Sequence, residues 1–208
     1  MDVEYGELIS NMIMEKLNLL PFQGEAYLFP QCFSRPESND YFIRLQQETQ
    51  WKQEPIKIFG KEVMQPRLTA WYGDTDKSYT YSGITMQPQA WNPVLTAIKS
   101  TIEKVAEAQF TSALLNYYRD GQDSMGWHRD NEKQLGVNPV IASVSFGAPR
   151  IFKLRHYEKK TPVINIELTH GSLLLMTGAT QHYWEHALPK TARVKEGRIN
   201  LTFRKIIF

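Results

Sequence analysis

Cysteine is almost absent from this chain, Cys32 being its only one. A lone cysteine closes no internal disulfide and builds no Cys-rich zinc site, so the expected setting is a reducing, intracellular compartment, nuclear if the source is eukaryotic. Cys32 itself reads as a small buried hydrophobe rather than a reactive thiol. Long apolar runs are missing too. No stretch approaches the roughly 18 residues of a membrane helix, and the start Met1-Asp2-Val3-Glu4-Tyr5 lacks the basic-then-apolar order of a secretory signal, so no membrane partner is expected. Net charge is only +2, with 24 Lys+Arg against 22 Asp+Glu. That balance neither demands nor excludes nucleic acid, and any charge argument has to be local. No Ser-His-Asp or Cys-His constellation is evident, nor is any internal repeat.

What is present is enough apolar material for a full core. With 208 residues, 42% of them hydrophobic and 12% aromatic, the chain is expected to form one domain and to be a monomer. The stretch Gly126-Trp127-His128-Arg129-Asp130 carries its first chemical signal. In an extended segment residues i and i+2 share a face, so His128 and Asp130 can close on one ion, whereas on a helix they diverge. His186, beyond His182-Tyr183-Trp184-Glu185 and near the expected end of a strand, is the candidate third ligand. Two imidazoles and one carboxylate with open positions form the facial triad of non-haem Fe(II) oxygenases. Standing alone, His-x-Asp is more often an ordinary turn in a loop.

Along the chain, Leu8, Ile9, Met12, Ile13 and Leu17 have roughly helical spacing, which gives a peripheral helix or arm. Ala26–Phe29 reads as a short strand, and Ser34 with Glu37 has capping-box spacing, predicting a helix over about 36–49. Ile56–Lys61 turns on Gly60 as a hairpin with Phe59 near its tip. Pro66–Asp74 reads as a strand and turn, followed by Tyr79 to Gly83 with both tyrosines on one side. Asn92 and Pro93 open a second helix whose buried stripe is Val94, Leu95, Ile98, Ile102, Val105 and Ala106. From Phe110 the period becomes two. Ser112, Leu114, Asn116 and Tyr118 share one face, as do Val140, Ala142, Val144 and Phe146; 150–154, 163–168, 172–177 and 198–207 also read as extended. Helices first and about eight strands after predict a mixed α/β, mainly β fold: an antiparallel double-sheet barrel with helices packed on one sheet and a metal site in its mouth.

The final strand adds a second signal. Arg198, Asn200, Thr202 and Arg204 alternate with Ile199, Leu201 and Phe203, and burying the polar face demands an anion. Six residues at ~3.3 Å rise separate the two arginine backbones by roughly 20 Å, and inward side chains leave room for a short dicarboxylate. The competing reading is an exposed strand face with two solvated arginines.

Asn116-x-Tyr118, Trp127 through Glu132, Ser143-Val144-Ser145-Phe146-Gly147, His170-Gly171-Ser172-Leu173, His186 and Arg198-x-Asn200-Leu201-Thr202-Phe203-Arg204, in that order, resemble the AlkB dioxygenases, from about Phe29 onward. The resemblance implies a double-stranded β-helix (jelly-roll), Fe(II) held by His128, Asp130 and His186, and 2-oxoglutarate held by Asn116, Tyr118, Arg198, Asn200, Thr202 and Arg204, with O2 as the other cosubstrate. His182 is the rival distal ligand; the family's spacing to the first arginine favours His186. Residues 26–90 would comprise a helix and a nucleotide-recognition lid, and 91–208 a helix and the catalytic core.

By the same resemblance the expected activity is removal of N-alkyl groups from DNA bases such as 1-methyladenine and 3-methylcytosine, with an aldehyde released. Tyr79 and Tyr81 would border the base pocket, Arg67 would contact substrate, and Phe59 would wedge into a duplex unless it is a core residue. Asn131 and Glu132 follow the metal segment, and Glu132 would favour a cationic base; the duplex enzymes usually carry an acid where Asn131 stands. Arg155, His156, Lys159 and Lys160 read as backbone clamps or as a solvated charge run. Relatives acting on RNA or protein, or a non-catalytic nucleic-acid binder, are the alternatives.

Overall fold

The structure is a computed structural model describing residues 17–58, 61–74, 79–81, 84–86 and 88–207. Phe59 and the 8–16 part of the N-terminal apolar series lie outside the described residues.

Strands β1 (Glu25–Phe29) and β4 (Leu68–Gly73) form the edges of a six-stranded sheet. Between them lie β12 (Ser172–Thr177), β9 (Ile141–Gly147), β14 (Arg198–Arg204) and β7 (Ser112–Tyr118), in that order from β1. The second sheet has the order β11 (Val163–Leu168), β10 (Arg150–His156), β13 (Trp184–Leu188), β8 (Met125–His128). Every pairing within these two sheets is antiparallel. The eight strands from β7 to β14 pass between the two sheets, which is the jelly-roll expected from the period-two segments. Two hairpins stand apart, β2 (Pro55–Ile58) with β3 (Lys61–Met64) and β5 (Tyr79–Tyr81) with β6 (Ile84–Met86).

Helices α1 (Arg35–Glu48) and α2 (Pro93–Ala106) cover the outer face of the larger sheet. Ser34 caps α1 with the reciprocal Glu37 contact, and the Asn92 carboxamide oxygen caps α2 by accepting from the Leu95 N–H at 2.8 Å. The predicted stripe of α2 is buried at Val94, Leu95, Ile98, Ile102 and Val105, each worth about 1.5–3 kcal/mol of transfer free energy. It packs with Ile199, Leu201 and Phe203 of β14 and Ala113 and Leu115 of β7 in one core. A second core fills the barrel with Leu114, Phe152, Leu154, Ile166, Leu174, Met176 and Trp184.

Boundaries differ locally from those predicted. Val140 precedes β9, and β14 ends at Arg204. Beyond it, the Ile206 N–H goes to the Thr111 hydroxyl and the Ile207 N–H to the Gln134 carbonyl, so the tail is fixed by loop bonds instead of a ladder. The strand carrying His186 ends at Leu188, just before Pro189, where the sequence places its end. Among the described residues no helix is long and apolar enough to cross a membrane.

Candidate active site

Register brings the ligands together. β13 pairs with β8 so that His186 lies opposite His128, and Asp130 follows the end of β8. The ring nitrogens Nε2 of His128 and His186 are 3.1 Å apart, and with a carboxylate oxygen of Asp130 the ligand atoms lie within 4.8 Å of one another. His128 Nδ1 faces the Gly126 carbonyl at 2.9 Å; donation there leaves Nε2 with its lone pair toward the site. Burial, and then the His128 charge, push the His186 imidazole down to about 3, so it is neutral at pH 7 and able to ligate. Burial opposes ionisation of Asp130, but Arg204 and the two histidines outweigh it and hold the carboxyl below its ordinary range. His182 is exposed on the surface, with Nε2 accepting from the Asn138 N–H, and does not join this set.

The polar face of β14 is buried: Arg198 is 2% exposed and Arg204 3%. The solvated-arginine reading is therefore overturned. Arg198 donates to the Ser145 hydroxyl at 2.8 Å, its Nε is buried without a hydrogen-bond partner, and its guanidinium lies 5.4 Å from the Tyr118 ring centroid. Burial lowers it to about 10, with Arg150 adding repulsion. Among the described residues no carboxylate pairs with it. Such a cation needs an anion, and Asn116, Tyr118, Asn200 and Thr202 line the same pocket as Arg198 and the three ligands. A dicarboxylate fits this donor set. Arg204 differs from the expectation that both arginines wait for the diacid, because its guanidinium forms a 2.8 Å ion pair with Asp130. It therefore neutralises the metal-binding carboxylate while lining the pocket.

Other predicted residues have more local partners. Arg67 is buried and spends its donors on Asn116, Gln65 and the Ser124 carbonyl, which orients Asn116 and leaves Arg67 turned inward. Glu132 has one carboxylate oxygen buried without a hydrogen bond, while Asn131 is exposed. Arg155 donates to Glu185 at 2.6 Å and stacks on Trp127, and Lys160 shares Glu185. His156 is no clamp: it is 1% exposed and bonded to Gln23 and the Lys159 N–H. Tyr79 and Tyr81 belong to β5, and their side chains are outside the described ones. Burial pushes the Cys32 thiol up to about 12, in keeping with an unreactive residue.

Sequence reasoning assigned no role to Ser143, Ser145 or Gln181. The serines alternate with the core residues Ala142, Val144 and Phe146, and that alternation was a readable signal. Gln181, in the turn α3 (Thr180–Tyr183), has no periodicity around it and was not readable.

The model of the 2OG-Fe(II) oxygenase superfamily matches residues 25–204. Among curated proteins, the DNA oxidative demethylase ALKBH2 of Bos taurus is 40% identical, covering 84% of this chain and 66% of its own length. The alpha-ketoglutarate-dependent dioxygenase alkB homolog 3 of Rattus norvegicus is 44% identical over 86% of this chain and 63% of its own length. This chain thus spans slightly less than two thirds of those two relatives, and 75% of human ALKBH2, to which it is 40% identical. Among solved structures, that of OsALKBH1 superposes with a TM-score of 0.65 at 18% identity, covering 89% of this chain and 99% of that one, a likeness of fold. With the superfamily match spanning both sheets and the human relative covered over most of its length, the chain belongs to the AlkB family of 2-oxoglutarate- and Fe(II)-dependent dioxygenases.

Proposed function

We propose that this protein repairs DNA by oxidative removal of N-alkyl groups from bases such as 1-methyladenine and 3-methylcytosine, coupled to conversion of 2-oxoglutarate to succinate. The observation that carries this reading is one pocket lined both by the His128, Asp130 and His186 ligand set and by Arg198, a buried cation with no acidic partner among the described residues. The substrate class is supported by relatives named DNA oxidative demethylase at 40% identity.

His128, Asp130 and His186 would hold Fe(II), which with 2-oxoglutarate and O2 would supply the oxidising chemistry for hydroxylation of the alkyl carbon. The protein's own residues position and protect. Arg204 keeps Asp130 ionised and aimed, and burial keeps His186 neutral. Arg198, whose guanidinium donates to the Ser145 hydroxyl and lies 5.4 Å from the Tyr118 ring centroid, would take one carboxylate of the diacid. Leu114, Phe152 and Leu188 line the pocket and exclude water. Glu132, with an unbonded carboxylate oxygen two residues after Asp130, favours the positive charge of an alkylated adenine or cytosine over the neutral base. The hydroxylated N-alkyl group is a hemiaminal, which loses an aldehyde without any nucleophilic side chain.

One methylated oligonucleotide presented as single-stranded DNA, duplex DNA and RNA, with Fe(II) and 2-oxoglutarate, tests the reading. The expected result is restored base with succinate and formaldehyde in equal amounts on DNA. Turnover confined to RNA would move the substrate assignment, and no succinate with any of the three would reject it.

A further inference from the structure

We propose that Gln181 is a positioning residue that sets metal affinity through the backbone of Asp130; the inference rests on the metal reading above. Asp130 lies beyond the end of β8, so its buried N–H has no ladder partner. The Gln181 carboxamide oxygen accepts that N–H at 2.9 Å, and the same carboxamide donates through Nε2 to the Met176 sulfur at 3.7 Å. Gln181 is 0% exposed, so both ends of its side chain are held inside the protein. An apolar side chain in its place would leave a buried donor unpaired, which the site relieves only by moving the Asp130 backbone.

Moving that backbone moves the carboxylate. Arg204 fixes one oxygen of Asp130 from the side of β14, and Gln181 fixes the peptide from which the side chain projects. The location of Gln181 makes this a spacing device. The turn α3 leads directly into β13, which carries His186, while its buried Gln181 side chain grips the segment carrying Asp130. Two further bonds join the same parts, from the Arg129 guanidinium to the His182 carbonyl and from the Asn138 N–H to His182 Nε2, but both are at exposed positions. The bond to Gln181 is the buried one, made at the ligand itself. The other end of the turn is anchored by Thr180, whose hydroxyl accepts from the Glu25 N–H at 2.8 Å.

The test measures metal binding to the full chain after chelation, using Mn(II) followed by electron paramagnetic resonance and Co(II) followed by visible absorption. Gln181→Met is nearly isosteric and offers no comparable acceptor; it should bind Mn(II) about 10–100-fold more weakly, the range for partners that orient a metal ligand, and change the Co(II) spectrum. Gln181→Asn, one methylene shorter, should weaken binding similarly and serves if the Met variant does not fold. Gln181→Glu keeps a side-chain oxygen acceptor at the same reach for the Asp130 N–H, so its affinity should return close to wild type. Wild-type Mn(II) affinity in the Met or Asn variant, or a Glu variant as weak as they are, overturns the role of Gln181. Binding that survives Asp130→Ala, or fails in the wild type, overturns the metal reading instead.

Discussion

Arg198 keeps a guanidinium buried with no acidic partner among the described residues, a condition that costs free energy until an anion arrives. Leaving one side of a desolvated charge pair unmatched costs about 2–5 kcal/mol, so Arg198→Ala should raise the KM for 2-oxoglutarate more than tenfold. Mn(II) binding, measured without the diacid, should stay near wild type in that variant. Equal losses of both would mean that Arg198 supports the fold rather than the cosubstrate. Arg204→Ala should fail differently and weaken both, since its guanidinium already holds Asp130. His170 gives a pH prediction. Its Nδ1 accepts from the Gly147 N–H at 2.8 Å and its Nε2 faces Asn39, so the neutral ring is the bonded form; burial, then Arg35, lower its pKa. The unfolded chain takes up a proton near pH 6.5 that the folded one resists, so stability falls as pH drops through that value. His186 contributes the same sign in the metal-free protein. Thermal midpoints between pH 7.5 and 5.5 should therefore decline in the wild type and decline less in His170→Gln; parallel curves would remove His170 from the account.

At the scale of elements, the two helices and several strands were legible because each is specified locally. The Ser34 and Glu37 spacing became a formed capping box, Asn92 and Pro93 begin α2, and β11 and β12 have the predicted limits. Ser34→Ala should cost about 1 kcal/mol, read as a shift in denaturant midpoint at unchanged slope. A null effect would show that the chain cap is redundant there. The β2–β3 hairpin was legible from alternation and Gly60. Phe59→Ala carries the strandedness prediction: at least about 1 kcal/mol of transition-state stabilisation lost on duplex DNA, roughly fivefold in kcat/KM, with much less lost on a single strand. Equal slowing on both with a lower melting temperature would make Phe59 a core residue. The His186 strand was less legible, because Trp184–Leu188 is buried throughout and lacks the alternation that marks a half-buried strand.

For the molecule as a whole, the site closes between the two sheets: β8 and β13 of one bring the histidines, and β14 of the other brings the arginines. Ligands that bind only this closed arrangement must stabilise it by mass action. Mn(II) with 2-oxoglutarate at 100-fold above their dissociation constants should add about 2.7 kcal/mol for each site filled, seen as a raised thermal midpoint that a chelator reverses. No shift on adding both would place the binding residues outside a common folded unit. What the sequence determined by itself was whatever is periodic or adjacent: the His128 and Asp130 pair two residues apart, the alternating polar face of β14, the helix caps, and the ordered motifs that named the family. What only the tertiary structure decided was who spends which hydrogen bond on whom. Arg204 turned to Asp130, Arg67 to Asn116, Arg155 to Glu185 and Gln181 to the Asp130 backbone, across separations in sequence from 30 to 74 residues. Burial forces each donor to take the acceptor nearest in space, and local patterns in a chain hold no record of which acceptor that is.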